Sequence, residues 1–143
     1  MKSIKSARFA LLVFWLCPAL ALAESYDIEV MVSGLSPATG TVEVSLFVTS
    51  DNFLKEPFQQ ESGQVDESGR FTAGFRMLPE GEYAVVAVHD ANDNGKLDSG
   101  FLGFGGEDYG YSNGAVSWLG RPDFEDAKFS VDRPGILVEI DLD

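Results

Sequence analysis

Cysteine and histidine are nearly missing from this chain, with one of each in 143 residues, and basic residues number only ten. Cys17 lies inside an N-terminal apolar run. Once that run is removed no thiol remains, which excludes a disulfide, a thiolate nucleophile and a cysteine metal site together. The residue before Cys17 is Leu16, where a lipid-attachment site takes a small residue. A single histidine and no cysteine give zinc too few of its usual ligands. Long helical periodicity is also missing, as are internal repeats and low-complexity linkers. The apolar run Phe9–Leu20 is short, against the roughly 20 residues a membrane-spanning helix needs, so the mature chain is expected to have no membrane span.

What stands at the N-terminus instead has the three parts of a secretory signal. Lys2, Lys5 and Arg8 precede the apolar run, Pro18 breaks it near its end, and Ala21-Leu22-Ala23 places small residues where a signal peptidase reads. Residues 1–23 are expected to be a signal peptide, and residues 24–143 a single exported domain, periplasmic or secreted. The leader carries three of the ten basic residues and none of the 23 acids. The mature chain therefore holds seven bases against 23 acids, a net charge of −16. That charge repels nucleic acid and anionic lipid and attracts cations. Acidity also serves solubility, so the case for a metal rests on local spacing.

The mature sequence reads as short strands between turn residues. Tyr26–Val32 and Thr41–Thr49 alternate apolar and polar, separated by the turn cluster Gly34-Leu35-Ser36-Pro37-Ala38-Thr39-Gly40. Residues 51–58 read as a loop or one helical turn, and Gly69–Met77 as a third strand. Leu78-Pro79-Glu80-Gly81 is spaced for a type II turn. Glu82–His89 is apolar on both faces, as in a central strand. Gly135–Leu142 alternates again, and a weaker strand is expected within Ala127–Val131. Many short strands with Gly and Pro turns predict an all-β fold, an antiparallel β-sandwich of immunoglobulin-like or transthyretin-like Greek-key type. Residues 99–126 break this rhythm with a long Gly- and aromatic-rich stretch, uncommon in compact domains unless it is functional or holds short elements of its own.

That stretch directly follows DANDNGKLD at 90–98. Asp90, Asn92 and Asn94 fall at loop positions one, three and five of an EF-hand-type calcium loop. Gly95 stands at six, where the chain must turn sharply. Lys96 offers its backbone carbonyl, Leu97 is the apolar tether, and Asp98 adds a carboxylate. Calcium takes about six to eight hard oxygen ligands, so the chain must wrap closely around it and point alternate side chains inward. The cage is incomplete, because position twelve is Phe101 instead of a bidentate Glu. Glu107 and Asp108 are the nearest candidates for the missing carboxylate. One calcium ion is the expected cofactor, with weak affinity on the order of 10⁻⁴–10⁻³ M. The competing reading is a polar Asn/Asp/Gly turn that needs no ion.

The segments LPEGEYAVVAVHDANDNGKLD at 78–98, GFGGEDYGYSN at 103–113 and LGRPDFEDAKFSV at 119–131 occur in an order that resembles the bacterial exported DUF2141 family. The resemblance covers nearly the whole mature chain. It implies a β-sandwich with a similar Asp/Asn loop and no known catalytic residue. The sequence departs from that pattern in carrying Asp108 where members often have Gly.

Phe104, Tyr109, Tyr111 and Trp118, with Phe101 and Phe124, form either an aromatic surface for a protein or glycan ligand or a cap that packs on one end of the sandwich. His89 beside Asp90 reads as a hydrogen-bonded strand residue or as a site residue. Ser112 or Ser117 with Asp126 lacks any nucleophile motif. Asp123, Glu125 and Asp126 read as a solvated acidic turn or a second cation site. Three functions compete: a non-enzymatic exported module whose calcium ion orders a recognition loop, a structural envelope accessory domain, and a polysaccharide hydrolase. The last requires two carboxyls, such as Glu107 and Asp126, roughly 5–9 Å apart in a cleft.

Overall fold

A computed structural model describes residues 24–95, 106–116 and 121–142. Eight strands follow in chain order: β1 (Ser25–Ser33), β2 (Thr41–Phe47), β3 (Gln59–Gln64), β4 (Phe71–Pro79), β5 (Gly81–Asp90), β6 (Asp108–Tyr111), β7 (Phe129–Val131) and β8 (Ile136–Asp141). A 3₁₀ turn at Ser112–Gly114 and a one-turn helix, α1 (Phe124–Ala127), stand between β6 and β7. One sheet has the order β4-β1-β8. The other has the order β3-β2-β5-β6, with β7 pairing on β5 at Gly81–Tyr83. The all-β sandwich expected from the alternating pattern is the fold found.

Alternation along each strand dictates which side chains meet between the sheets. Ile28, Val30 and Val32 of β1 face Val42, Val44 and Leu46 of β2 and Tyr83, Val85 and Ala87 of β5, all buried in one cluster. On β4 the inward residues are Ala73, Phe75 and then Leu78, an odd step that breaks the period of two. A bulge accounts for it: Arg76 and Met77 together oppose the single residue Asp27, so Leu78 turns back into the core. Met77 takes φ 56° there, and the Asp27 carboxylate accepts its N–H at 2.9 Å. Truncating the fully buried Phe75 to Ala is expected to cost about 3–5 kcal/mol.

The second face of β5 is buried as well, as its sequence demands. Ala84 and Val86 pack against Phe47, Phe53, Tyr111, Phe124 and Ala127. Phe53 is the hub, with ring centroids 5.4, 6.4 and 5.8 Å from Phe47, Tyr111 and Phe124. Phe53 in the loop before β3, Tyr111 at the end of β6 and the α1 residues Phe124 and Ala127 therefore cover the outside of the larger sheet. Tyr83, near the start of β5, donates its hydroxyl to the Pro79 carbonyl at 2.8 Å. That brace is of the kind found at the tyrosine corner of immunoglobulin-type sandwiches.

Several expectations need correction. The sandwich is not wholly antiparallel, because β8 pairs parallel with β1. The chain reaches β8 by crossing between sheets after β7, and a crossover leaves strand direction free where a hairpin would reverse it. The polar run QQESGQ forms edge strand β3, which periodicity missed because neither of its faces is apolar. Residues 78–81 form no type II turn, since none of them has positive φ. The chain instead passes from one sheet to the other at Glu80. The long stretch after 99 does hold short elements of its own, one of the two alternatives read from its sequence: β6, the 3₁₀ turn and α1.

Candidate functional site

The apolar run of β5 ends at Asp90, and the turn that follows is built around that residue's carboxylate. Asp90 Oδ1 accepts the Asn94 N–H at 3.1 Å and Oδ2 accepts the Gly95 N–H at 2.8 Å. Asn92 Oδ1 accepts the Asn94 N–H at 3.0 Å. Short Asx side chains that bond backbone two or more residues ahead are what bend the chain here. Gly95 takes φ 69°, the left-handed conformation its position in the pattern predicts, and Asp93 takes φ 56°. The Gly95 N–H holds the Asp90 carboxyl below its ordinary pKa, against an opposing contribution from burial, and the Asn94 N–H and the Glu107 side chain lower it further.

The Glu107 contact is the main tertiary feature of the site. Residue 107 lies just before β6, and β6 pairs antiparallel with β5 so that Asp108 stands opposite His89. That register carries the Glu107 carboxyl to the Asp90 carboxyl. Glu107 Oε1 is sealed from solvent. Asn92, Glu107 and Asp108 line a cleft of about 260 Å³ together with Ser36, Pro37, His89, Ala91 and Gly106.

The opposite wall of the cleft belongs to the β1–β2 turn, residues 34–40, which sequence reasoning did not connect to the site. His89 is 1% exposed, and its Nε2 lies 2.7 Å from the Thr39 carbonyl. A carbonyl only accepts, so Nε2 carries the proton and His89 ties the turn to β5. His89 thus has the structural role. Gly40 lies against the first peptide of the loop: a Cβ there would come 2.2 Å from the Asp90 carbonyl oxygen and 2.7 Å from Ala91 Cα. No local signal beyond the glycine itself marks this contact, because its partner is 50 residues away.

Asp90, Asn92, Asn94, Glu107 and Asp108 thus lie among the described residues, and Asp90 and Glu107 meet. Lys96 and Asp98 lie outside the described residues, as do Phe101, Phe104, Ser117 and Trp118. Among the described residues no group of three or more His, Cys, Asp or Glu side chains gathers closely enough to hold a metal. The oxygen donors present suit a hard cation: two carboxyls in contact, with amide oxygens beside them.

The remaining candidates separate by burial. Tyr111 and Phe124 are core residues, which removes them from any contact surface, while Tyr109 is 56% exposed and meets the Tyr111 ring edge-on at 5.8 Å. Ser112 is fully buried: its Oγ accepts the Val85 N–H at 2.9 Å and donates to the Ala127 carbonyl at 2.6 Å. It is a strut and stands four positions along β5 from His89, about 13 Å at the usual strand rise. Asp126 accepts the Asp123 N–H at 3.2 Å and so closes the start of α1, and Glu125 pairs with Lys128 at 2.8 Å. These acids belong to a helix cap and an ion pair. α1 packs at the Ser112 end of β5 and Glu107 lies at the Asp90 end, so the carboxyl pair a hydrolase would need is not assembled from Glu107 and Asp126.

Among the described residues no helix is long and apolar enough to cross a membrane. Comparison with curated proteins and with solved structures returns no match. A family model does match, over residues 30–136, from the first sheet through the Asp90 loop to the start of β8, and the chain belongs to that family, described as an uncharacterized protein conserved in bacteria (DUF2141).

Proposed function

We propose that this protein is an exported, non-enzymatic β-sandwich module that binds one calcium ion at the Asp90 loop. The ion ties the Gly/aromatic segment to the sandwich for contact with a protein or glycan ligand. The observation that carries the reading is the meeting of the Asp90 and Glu107 carboxyls. Two carboxyls in contact repel when both are ionised, and a divalent cation between them turns that repulsion into coordination. The net charge of −16 on residues 24–143 adds a field that favours the same cation. Asn92 and Asn94 supply neutral oxygens at the loop positions calcium uses, and Asp108 extends the acidic rim. Asp98 and the Lys96 carbonyl complete the expected ligand set from the sequence.

Calcium titration calorimetry, with melting curves in calcium and in chelator, tests the reading. At a calcium concentration tenfold above Kd the gain in stability is about 1.4 kcal/mol. Asp90→Ala combined with Asp98→Ala abolishes both the heat and the rise in Tm. Identical melting curves in calcium and chelator would sink the proposal. Ligand contact is tested separately by changing Tyr109, which is exposed and outside the core.

A further inference from the structure

The Asp90 loop is held from outside as well as from within. Thr41, the first residue of β2, stands directly opposite Asp90 in the β2–β5 register. Its hydroxyl donates to Asp93 Oδ1 at 2.6 Å and accepts from the Gln64 side-chain amide at 2.8 Å. Gln64 is itself the β3 partner of Thr41. A chain of two short hydrogen bonds therefore runs from edge strand β3 through β2 into the loop. It ends on Asp93, whose side chain is the one polar side chain in Asp90–Asn94 that the calcium template does not use as a ligand, and whose φ of 56° is a strained conformation for a residue with a side chain. Gly40, next to Thr41, leaves just enough room for the peptide that enters the loop.

We propose that Thr41 is the positioning residue of this loop: its hydroxyl, oriented by Gln64, anchors Asp93 and keeps Asp90–Gly95 closed around the Asp90 carboxylate before any ion arrives. The loop then presents its oxygens with little reorganisation on binding, and less of the interaction is lost to ordering the chain. The inference deepens the calcium reading and rests on it only for affinity; the anchoring itself belongs to the ion-free protein.

Two variants separate the hydroxyl from the rest of the side chain. Thr41→Val keeps the shape and β-branching and loses both hydrogen bonds, whereas Thr41→Ser keeps the hydroxyl. Amide hydrogen exchange in chelator reads the loop directly, through the Asn94 and Gly95 N–H groups that bond Asp90. Thr41→Val is expected to speed exchange at these two amides about tenfold, the scale of losing one hydrogen bond to a charged group. Amides in the middle of β5 stay unchanged, and Thr41→Ser restores the native rates. Calorimetry then shows calcium affinity falling by a similar factor in Thr41→Val and recovering in Thr41→Ser. Unchanged exchange at Asn94 and Gly95 in Thr41→Val overturns the proposal. So does a uniform rise across β5, which marks a merely structural role, and so does calcium affinity equal to that of the native protein. If the native protein takes up no calcium while the two amides respond as expected, the calcium reading fails and the anchoring stands.

Discussion

Ser112→Ala is predicted to be among the most damaging single-atom deletions in this protein. The backbone ladder between β5 and β6 ends at Val86 and Tyr111. One residue further on, the Ser112 hydroxyl takes over the job of a strand partner, accepting the Val85 N–H at 2.9 Å and donating to the Ala127 carbonyl at 2.6 Å. Ser112, Val85 and Ala127 are all fully buried. Alanine leaves a buried donor and a buried acceptor unpaired, each worth about 1–3 kcal/mol, so the expected loss is about 2–5 kcal/mol. The space freed is a single oxygen, too small to admit a water that could repair the two bonds. Urea denaturation followed by fluorescence measures the loss. With a slope of about 1.5–2 kcal/mol per molar, the midpoint falls by roughly 1 M or more. Ser112→Cys, similar in size with a weak donor, falls between the two. Asn113→Ala supplies the contrast next door: its exposed side chain donates to the Lys128 carbonyl at 2.6 Å, and losing it costs at most about 1 kcal/mol. A midpoint shift for Ser112→Ala no larger than that of Asn113→Ala would refute the reasoning.

Glu107→Gln removes one of the two carboxyls that meet at the cleft and is expected to weaken calcium binding about tenfold or more in calorimetry, with the fold retained in far-UV circular dichroism. Gly40→Ala forces a Cβ to within 2.2 Å of the Asp90 carbonyl oxygen at φ 89°, so thermal melting shows a loss of about 2 kcal/mol or more and calcium affinity falls with it. Met77→Gly relieves a positive φ at a side chain 77% exposed; strain relief of about 1–2 kcal/mol outweighs the entropy glycine adds to the unfolded chain, and a gain of about 0.5–1 kcal/mol is expected in urea. Burial raises the pKa of Tyr83 and of Tyr111, and a hydrogen bond to Glu24, with burial and nearby acids, pushes Tyr26 up to about 12. An acid whose folded pKa is raised stabilises the fold below its unfolded value, so stability is lost as pH rises above about 10. Phenolate absorbance is expected to show these three tyrosines ionising late and together with unfolding, and Tyr83→Phe to shift the alkaline transition.

Strands β1, β2, β5 and β8 were legible in the sequence because burial on one face or both imposes a period of two or a continuous apolar run, and no distant information is needed to read either. The turn at Asp90 was legible for a similar reason: short Asx side chains and Gly95 act over five residues of backbone. What lay beyond reach were the elements defined by their partners. Edge strand β3 has polar residues on both faces and exists because β2 offers it a ladder. The bulge at Arg76–Met77 is visible only once Asp27 stands opposite, and Ser112 becomes a strut only where β6 stops short. Tyr111 and Phe124 resemble exposed recognition aromatics in composition, and Phe53 makes them core.

The same division runs through the candidate site. Local chemistry alone determined an acidic, oxygen-rich turn from Asp90 to Gly95, since each bond within it spans five residues or fewer. That Glu107 or Asp108 would approach the loop is an expectation from the sequence; which of them meets Asp90 follows from antiparallel register in the fold, since pairing Asp108 with His89 leaves residue 107 beside residue 90. Thr41, Gly40 and Gln64 enter the site through tertiary structure only. Strand pairing brings residues 41 and 64 to the loop, and no pattern of residue types along one chain encodes which strand end will lie against which.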